Sequence, residues 1–372
     1  MTTPIITRVA LCVILFLCCT YIVNLSENNG NTYEITDAPF KTGGEATLHP
    51  VVGHPDLVAK IYKPEKRTLE RRNKVTVMSR LQVTKYFKNA VVFPLVPLYQ
   101  DASSRSFVGY IMDRVNNITE LQDIYFGDDL DQKQKVTVAM NLCVMTNLVH
   151  SAGQVIGDYN PKNIALDKAT GMGKLIDTDS FHITVQNSKG GNVKTFPCQV
   201  GVEALIAPEL RKKLNDQHAN LETVQGGSFT QETDLYALGF HIFALLMGGS
   251  TPYRNCVDMA ALGPSKNVSD VTVNQFEAAK KGEFLFAKHV IGKRLPEDVP
   301  DFEILTPELQ NLFIRCFVDG ATNPEARPSA AEYYSALSHY QAQLKKRSCG
   351  HYLREGYHKP CEWCRVHSFL EE

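Results

Sequence analysis

Residues 157–181 read GDYNPKNIALDKATGMGKLIDTDSF, and Asp158, Asn163 and Asp177 within them supply two carboxylates and an amide. Oxygen ligands of this kind suit a magnesium ion and a carboxylate that orients a hydroxyl group. Asp179 follows two residues later and competes with Asp177 for the metal role. Upstream, Lys60 stands in the apolar run LVAKIY, where its ammonium would offer a point charge to phosphate. Glu70 on the following helix could pair with it. Gly43 and Gly44, in KTGGEA, would let backbone approach a phosphate without a Cβ in the way. A cradle, a cation, metal ligands and a hydroxyl-orienting carboxylate are what phosphoryl transfer from ATP needs. Each residue also has a plainer use. Asp158 and Asn163 could cap the turn before Ile164, Lys60 could snorkel from a strand, and Glu70, with Glu65 close by, could be one more solvated helix glutamate.

The elements that would carry these residues can be read from periodicity. Residues 34–58 look like short strands broken by turn formers, 57–62 like an apolar strand, and 66–84 like a helix with Leu69, Val75, Met78 and Leu81 on one face. Residues 91–99 and 106–115 give two more strands. From 116 the pattern turns helical, with an amphipathic helix at 130–152 and an apolar one at 233–247, then helices at 309–317 and 329–344. The apolar runs at 164–166 and 174–176, separated by Gly171, form a hairpin. The expectation is an α+β, two-lobed fold: a small antiparallel-sheet lobe with one helix over 34–115 and a larger, mainly helical lobe over 116–345.

In this order the residues resemble the protein kinase superfamily, and the likeness runs from about residue 36 to 344. The spacing of Asp158 and Asn163 matches the family's catalytic loop. Ala207, Pro208 and Glu209 repeat its APE triplet, Asp234 and Gly239 in TDLYALG resemble the start of its central large-lobe helix, and Arg327 resembles the arginine that pairs with the APE glutamate. The resemblance implies ATP and Mg²⁺ as cofactors and Asp158, Lys60 and Glu70 as catalytic residues. It further implies that Asn163 and Asp177 hold Mg²⁺, that Met112, Asp113 and Val115 lie where adenine binds, and that Thr195 is a candidate phosphorylation site. It departs from the usual pattern at Gly157, where arginine is common, at Asn160, where lysine is common, and at DTD in place of DFG. These forms look like those of a divergent bacterial branch of serine/threonine-kinase-like proteins. The implied activity is ATP-dependent phosphorylation of serine and threonine hydroxyls on protein substrates. The alternative is a pseudokinase-like scaffold that binds nucleotide or a partner without transfer. A small-molecule kinase would share the Asp and Asn ligands, but the APE triplet and Arg327 speak against it.

Residues 346–372 differ in composition, with Cys349, Cys361 and Cys364 beside His351, His358 and His367. The Cys361-x-x-Cys364 spacing lets two thiolates grip one tetrahedral ion, and Cys349 with one histidine would complete the set. Similar tails in the bacterial relatives favour a structural zinc site and make His351 the first choice, His358 the second. A reduced surface pair or a disulfide is the rival use. So short a tail would need its metal to fold.

The formal net charge of −1 gives no reason to expect a nucleic-acid partner. Ten cysteines in no regular framework argue against a secreted disulfide scaffold. Within residues 1–30, an uncharged apolar run follows Arg8, and residues 9–25 read as an anchor or signal-like segment. That implies a cytoplasmic membrane location with the ATP-using part facing the cytoplasm, or a cytoplasmic protein if the segment does not span.

Overall fold

Residues 32–62 alternate β-branched and aromatic residues with turn formers, and the chain responds with an antiparallel sheet. The computed structural model describes residues 22–26, 32–81, 83–100, 106–116, 118–126, 130–186, 192–253, 257–258, 275–287 and 293–371. They fall into two compact units, one comprising the described residues up to Arg72 with Leu95–Arg114, the other Asn73–Pro94 with the chain from Val115 onward. The class is α+β.

In the first unit the strands are β1 (Ile22–Ser26), β2 (Thr32–Thr36), β3 (Lys41–Thr42), β4 (Ala46–Val51), β5 (His54–Tyr62), β6 (Val96–Tyr99) and β7 (Phe107–Asp113). Their order is β2-β1-β6-β7-β5-β4-β3, and the pair Ile35↔Val51 joins β2 to β4, so the sheet curls back on itself. Ile35, Val51, Ala59, Leu98, Val108 and Ile111 fill its inner face. Helix α1 (Leu69–Met78) crosses the boundary between the units in sequence. It is shorter than its periodicity suggests. A 3₁₀ turn at Pro64–Lys66 precedes it, and Ser79 Oγ donates to the Thr76 carbonyl where it ends.

The apolar segment at 9–25 requires a correction. Its residues 9–21 lie outside the described residues, but its last residues belong to β1, whose backbone pairs with β2 from Ile22↔Thr36 to Ser26↔Thr32. Residues 22–25, whose amides and carbonyls are shared with a neighbouring strand, are not part of a spanning helix. Among the described residues no helix is long and apolar enough to cross a membrane. The transmembrane assignment is overturned, and the membrane location drawn from it loses its support.

The second unit begins with α2 (Lys85–Ala90), β8 (Thr119–Glu120), α3 (Leu121–Phe126) and α4 (Gln132–Ser151), followed by the hairpin of β9 (Ile164–Leu166) and β10 (Gly173–Leu175). Strands β11 (Ile183–Gln186) and β12 (Asn192–Phe196) form a second hairpin before α5 (Pro208–Asp216) and α6 (Gln231–Leu246). After them come β13 (Val257–Asp258), α7 (Gln275–Lys280), β14 (Lys293–Arg294), α8 (Pro307–Phe317) and α9 (Ala330–Gln343). The hairpin of β15 (Leu344–Lys346) and β16 (Tyr352–Arg354) and helix α10 (Glu362–Glu371) complete it. Capping boxes start α4 (Asp131 with Gln134), α6 (Thr230 with Thr233) and α9 (Ser329 with Glu332).

Helix α6 is buried almost all round, which its apolar sequence requires. Phe243 sits among the rings of Phe284, Phe286, Phe313 and Phe317, mostly edge to face at 4.8–6.0 Å. Gly239 has no room for a side chain: a Cβ there would lie 2.6 Å from Cys316 Sγ. Close packing against α8 depends on that glycine. Leu344, Leu353, Tyr357 and Trp363 join the same core, so the C-terminal segment is part of this unit and does not rest on metal alone.

Arg327 closes the unit from the outside of α6. Its guanidinium makes a bidentate pair with Glu209 at 2.7 and 2.6 Å and donates to the carbonyls of Glu232 (2.8 Å) and Gly320 (2.7 Å). The arginine side chain is fully buried, while Glu209 keeps some solvent contact. Arg327→Ala should destabilise the protein by about 3 kcal/mol, the lower part of the range for breaking a buried pair, because Glu209 can rehydrate. Denaturant unfolding followed by circular dichroism measures this, and an unchanged midpoint would refute it.

Candidate active site and metal centre

Asp158 lies on an irregular loop between α4 and β9 that is held from below by α6. Asp234, completely buried in the first turn of α6, accepts from the backbone N–H of Ile156 (2.7 Å), from that of Gly157 (2.9 Å) and from His150 Nε2 (2.9 Å). Three donors on one carboxylate offset the desolvation of its charge and fix the backbone just before Asp158. Gly157 adopts φ +74°, and a Cβ there would come within 2.7 Å of Cys198 Cβ and 2.8 Å of its Sγ. This packing accounts for glycine at position 157. Cys198 is itself pinned by Ser228 Oγ donating to its carbonyl at 2.6 Å, and burial raises its thiol to about 12, so it stays neutral filler. Asn160 also has a local purpose, since its Oδ1 accepts from the Lys162 N–H at 3.0 Å and caps the turn that leads to Asn163.

Asn163 Nδ2 donates to Asp158 Oδ2 at 3.2 Å. Among the described residues, Asp158 Oδ1 is buried with no hydrogen-bond partner. Burial raises the Asp158 carboxyl to about 6, the charge of Asp177 adds to the rise, and the Asn163 amide and Val202 N–H pull against it. Asp177 is thus a carboxylate whose field reaches Asp158. The hairpin brings them together: Leu175 pairs with Ile164, and the Ile176 N–H donates to the Asn163 carbonyl at 2.8 Å.

Asp177 is exposed and held at φ +57°, ψ +35°, a left-handed conformation that costs energy for any residue but glycine. Its surroundings impose it. Thr178 Oγ1 donates to the Val92 carbonyl at 2.6 Å, the Val92 N–H donates to the Leu175 carbonyl at 2.9 Å, and Phe181 is buried edge-on to Phe93. The second unit therefore gathers Asp158, Asn163 and Asp177, while Val115 lies half-buried just after β7 in the same unit.

The remaining site residues belong to the first unit. Lys60 is buried on β5, with Nζ 5.7 and 5.8 Å from the ring centres of Tyr62 and Tyr110. Met112 and Asp113 end β7, opposite Val58 and Leu57. Gly43 and Gly44 form the β3–β4 turn, closed by the Gly43 N–H donating to Ala46, with open space about Gly44. Glu70 does not pair with Lys60. It is exposed in the first turn of α1, and the neighbouring Arg71 instead turns inward, 4.8 Å from the Tyr62 ring centre and paired with Glu45 at 2.8 Å.

Near the C-terminus, Cys349, His351, Cys361 and Cys364 place their ligand atoms within 4.8 Å of one another and could hold a metal ion. His351 Nδ1 lies 3.6, 3.5 and 3.4 Å from the three sulfurs. Tetrahedral zinc with its usual bond lengths would separate sulfur and nitrogen by about 3.6 Å. His358 is exposed and outside the cluster. The His351 N–H lowers the Cys349 thiol, while hydrogen bonding to Cys349 raises Cys364 to about 11, so the sulfurs resist becoming thiolates together unless a cation joins them.

Sequence reading missed His150, one of many polar residues on the amphipathic α4, His241, flanked by apolar residues in α6, and the relation of Cys198 to Gly157, which is visible only in three dimensions. Comparison with protein-family models and with curated proteins finds no match, so geometry and chemistry carry the functional argument.

Trp363, the sole tryptophan, is buried beside the cysteine cluster and donates to the Tyr352 carbonyl at 3.2 Å. Chelation should therefore shift its emission to the red while leaving most helical circular dichroism intact. Metal analysis should find one ion per chain in the wild type and a loss in Cys361→Ser. Absence of bound metal from freshly purified wild type, with Trp363 emission indifferent to chelator, would rule the centre out.

Proposed function

We propose that this protein is a kinase-like phosphotransferase that moves the γ-phosphoryl group of ATP to serine or threonine hydroxyls of protein substrates. The observation that carries the reading is the Asp158–Asn163–Asp177 group: a half-buried carboxylate with one oxygen unpartnered among the described residues, an amide bonded to its other oxygen, and a second carboxylate held in a left-handed conformation. Asp158 orients the attacking hydroxyl through Oδ1 and accepts its proton, and Asn163 and Asp177 would hold Mg²⁺, which would supply positive charge to the phosphates. In the first unit, Lys60 and the Gly43–Gly44 turn are assigned to phosphate binding and the backbone of Met112 and Asp113 to adenine, as is Val115, the first residue of the second unit's long segment. The α+β architecture, the curled antiparallel sheet, the buried α6 and the Arg327–Glu209 latch are compatible with a two-lobed kinase fold. The metal of the cysteine cluster is assigned as structural zinc, because three thiolates and an imidazole suit it better than oxygen-seeking magnesium.

The exposed Glu70 favours a second reading, a scaffold that binds nucleotide or a partner without transfer. One experiment separates the two. Wild type with Mg²⁺ and labelled ATP should phosphorylate itself or a generic protein acceptor, and Asp158→Ala should lower the rate by roughly a hundredfold or more. Asp177→Asn should do likewise, whereas Asp179→Asn should keep most activity. Equal signal from wild type and Asp158→Ala would refute catalysis by this site.

A further inference from the structure

His241 lies in the middle of α6, completely buried, two residues after the glycine that seats the helix against α8. Both ring nitrogens are engaged. Nε2 is 2.7 Å from the carbonyl oxygen of Tyr159, and Nδ1 contacts the Tyr125 hydroxyl at short range. A carbonyl oxygen can only accept, so Nε2 carries a proton. Burial lowers the imidazole to about 4, which leaves it neutral, so Nδ1 is the acceptor and the Tyr125 O–H the donor. The Tyr159 ring packs edge-on to His241 at 4.9 Å, and its hydroxyl bonds Thr146 Oγ1 at 2.8 Å. Tyr125 thus selects the imidazole tautomer, and the imidazole in turn holds the peptide that follows Asp158.

This contact complements the one made by Asp234. Asp234 fixes the amides of Ile156 and Gly157, on the N-terminal side of Asp158; His241 fixes the carbonyl of Tyr159, on the C-terminal side. Between the two anchors the Tyr159 N–H donates to the Gly157 carbonyl at 2.9 Å, so Asp158 sits at the apex of a tight turn whose two ends are tied to one rigid helix. An apolar residue at 241 would fill the space yet remove the donor that the Tyr159 carbonyl uses inside a core.

We infer that His241 is a positioning residue for Asp158, acting through the Tyr159 carbonyl, with Tyr125 as the group that sets its tautomer. The catalytic part of this inference rests on the phosphotransfer reading; the loop-holding part does not. The test compares His241→Gln, whose side-chain amide can reach the Nε2 position and donate to Tyr159, with His241→Asn, which is polar but reaches only the Nδ1 position. In the transfer assay His241→Gln should keep kcat within about threefold of wild type, while His241→Asn should lose roughly ten- to a hundredfold in kcat with KM for ATP changed by less than about twofold. Hydrogen–deuterium exchange of the peptide covering 155–163 should accelerate in His241→Asn and not in His241→Gln. Tyr125→Phe, which removes one hydroxyl from a buried ring, should fall between them in both measurements. Equal kcat for the two His241 variants, or unchanged exchange at 155–163 in His241→Asn, would overturn the inference. If wild type transfers no phosphate while exchange still separates Asn from Gln, the phosphotransfer reading fails and the loop anchor stands.

Discussion

A carboxylate with no access to water is the constraint around which the larger unit is built. Asp234 is buried at the start of α6, where an uncompensated charge would cost several kcal/mol, so the fold must deliver donors to it. It delivers three, and two of them are consecutive backbone amides in a loop far away in sequence. Satisfying Asp234 therefore dictates the path of residues 156–157, and with it the placement of Asp158. The same bonds restrict what can stand at 157, because the backbone that reaches Asp234 turns through φ +74° directly under Cys198. Electrostatics selects the loop's course, and packing then selects its residue types.

Helix α6 spreads that constraint outward. Its first turn holds Asp234 and offers the Glu232 carbonyl to Arg327, its middle presents Gly239 and His241, and just beyond its end Gly248 packs beside Trp363. One buried rod thus touches the candidate catalytic loop, the Arg327–Glu209 latch and the cysteine-bearing segment. Such a helix can serve as a common reference only if it cannot shift, and the edge-to-face rings around Phe243, which leave no solvent on any side, provide that rigidity. The C-terminal segment gains from the arrangement. Lys359 pairs with Asp301 and Glu303, and Arg365 donates to the Val299 carbonyl, so the metal cluster sits on a surface already tied to the core.

What could be read from the sequence divides by range. The hairpin around 164–175, α4, α6, α8 and α9 follow from local periodicity and caps, and their limits fall within two residues of those read from the pattern. The order Asp158, Asn163, Asp177 was legible because all three lie on one short stretch that a single hairpin folds together. Glu70 was not, because its role depends on the rotation of α1: one residue of helix phase separates an exposed glutamate from Arg71, which turns toward Glu45 and Tyr62. The apolar run ending at Leu25 misled for a related reason. Hydropathy counts apolar residues without asking where their backbone hydrogen bonds go, and Ile22–Ser26 finds them in β2. His241 and Cys198 carry no local signal, since a histidine in an apolar helix acquires meaning only once Tyr125 and Tyr159 are brought against it.

The two carboxylates of the candidate site are anchored by separate parts of the same unit, and that separation matters for chemistry. Asp158 hangs from α6, whereas Asp177 is set by the Thr178–Val92 bond and the Phe181–Phe93 contact on the opposite side of the hairpin. If both sat on one flexible loop, repulsion would move them apart, and the Asp158 carboxyl would relax toward its ordinary value. Instead burial and the Asp177 charge hold it near 6, an unfavourable term of roughly 3 kcal/mol that the framework must carry. Together with the left-handed backbone at Asp177, this is strain placed at one point and balanced by packing elsewhere. A site in which like charges act on one another before any ligand arrives favours whatever neutralises them, and the packing of this unit already carries the cost of holding them away from their relaxed positions.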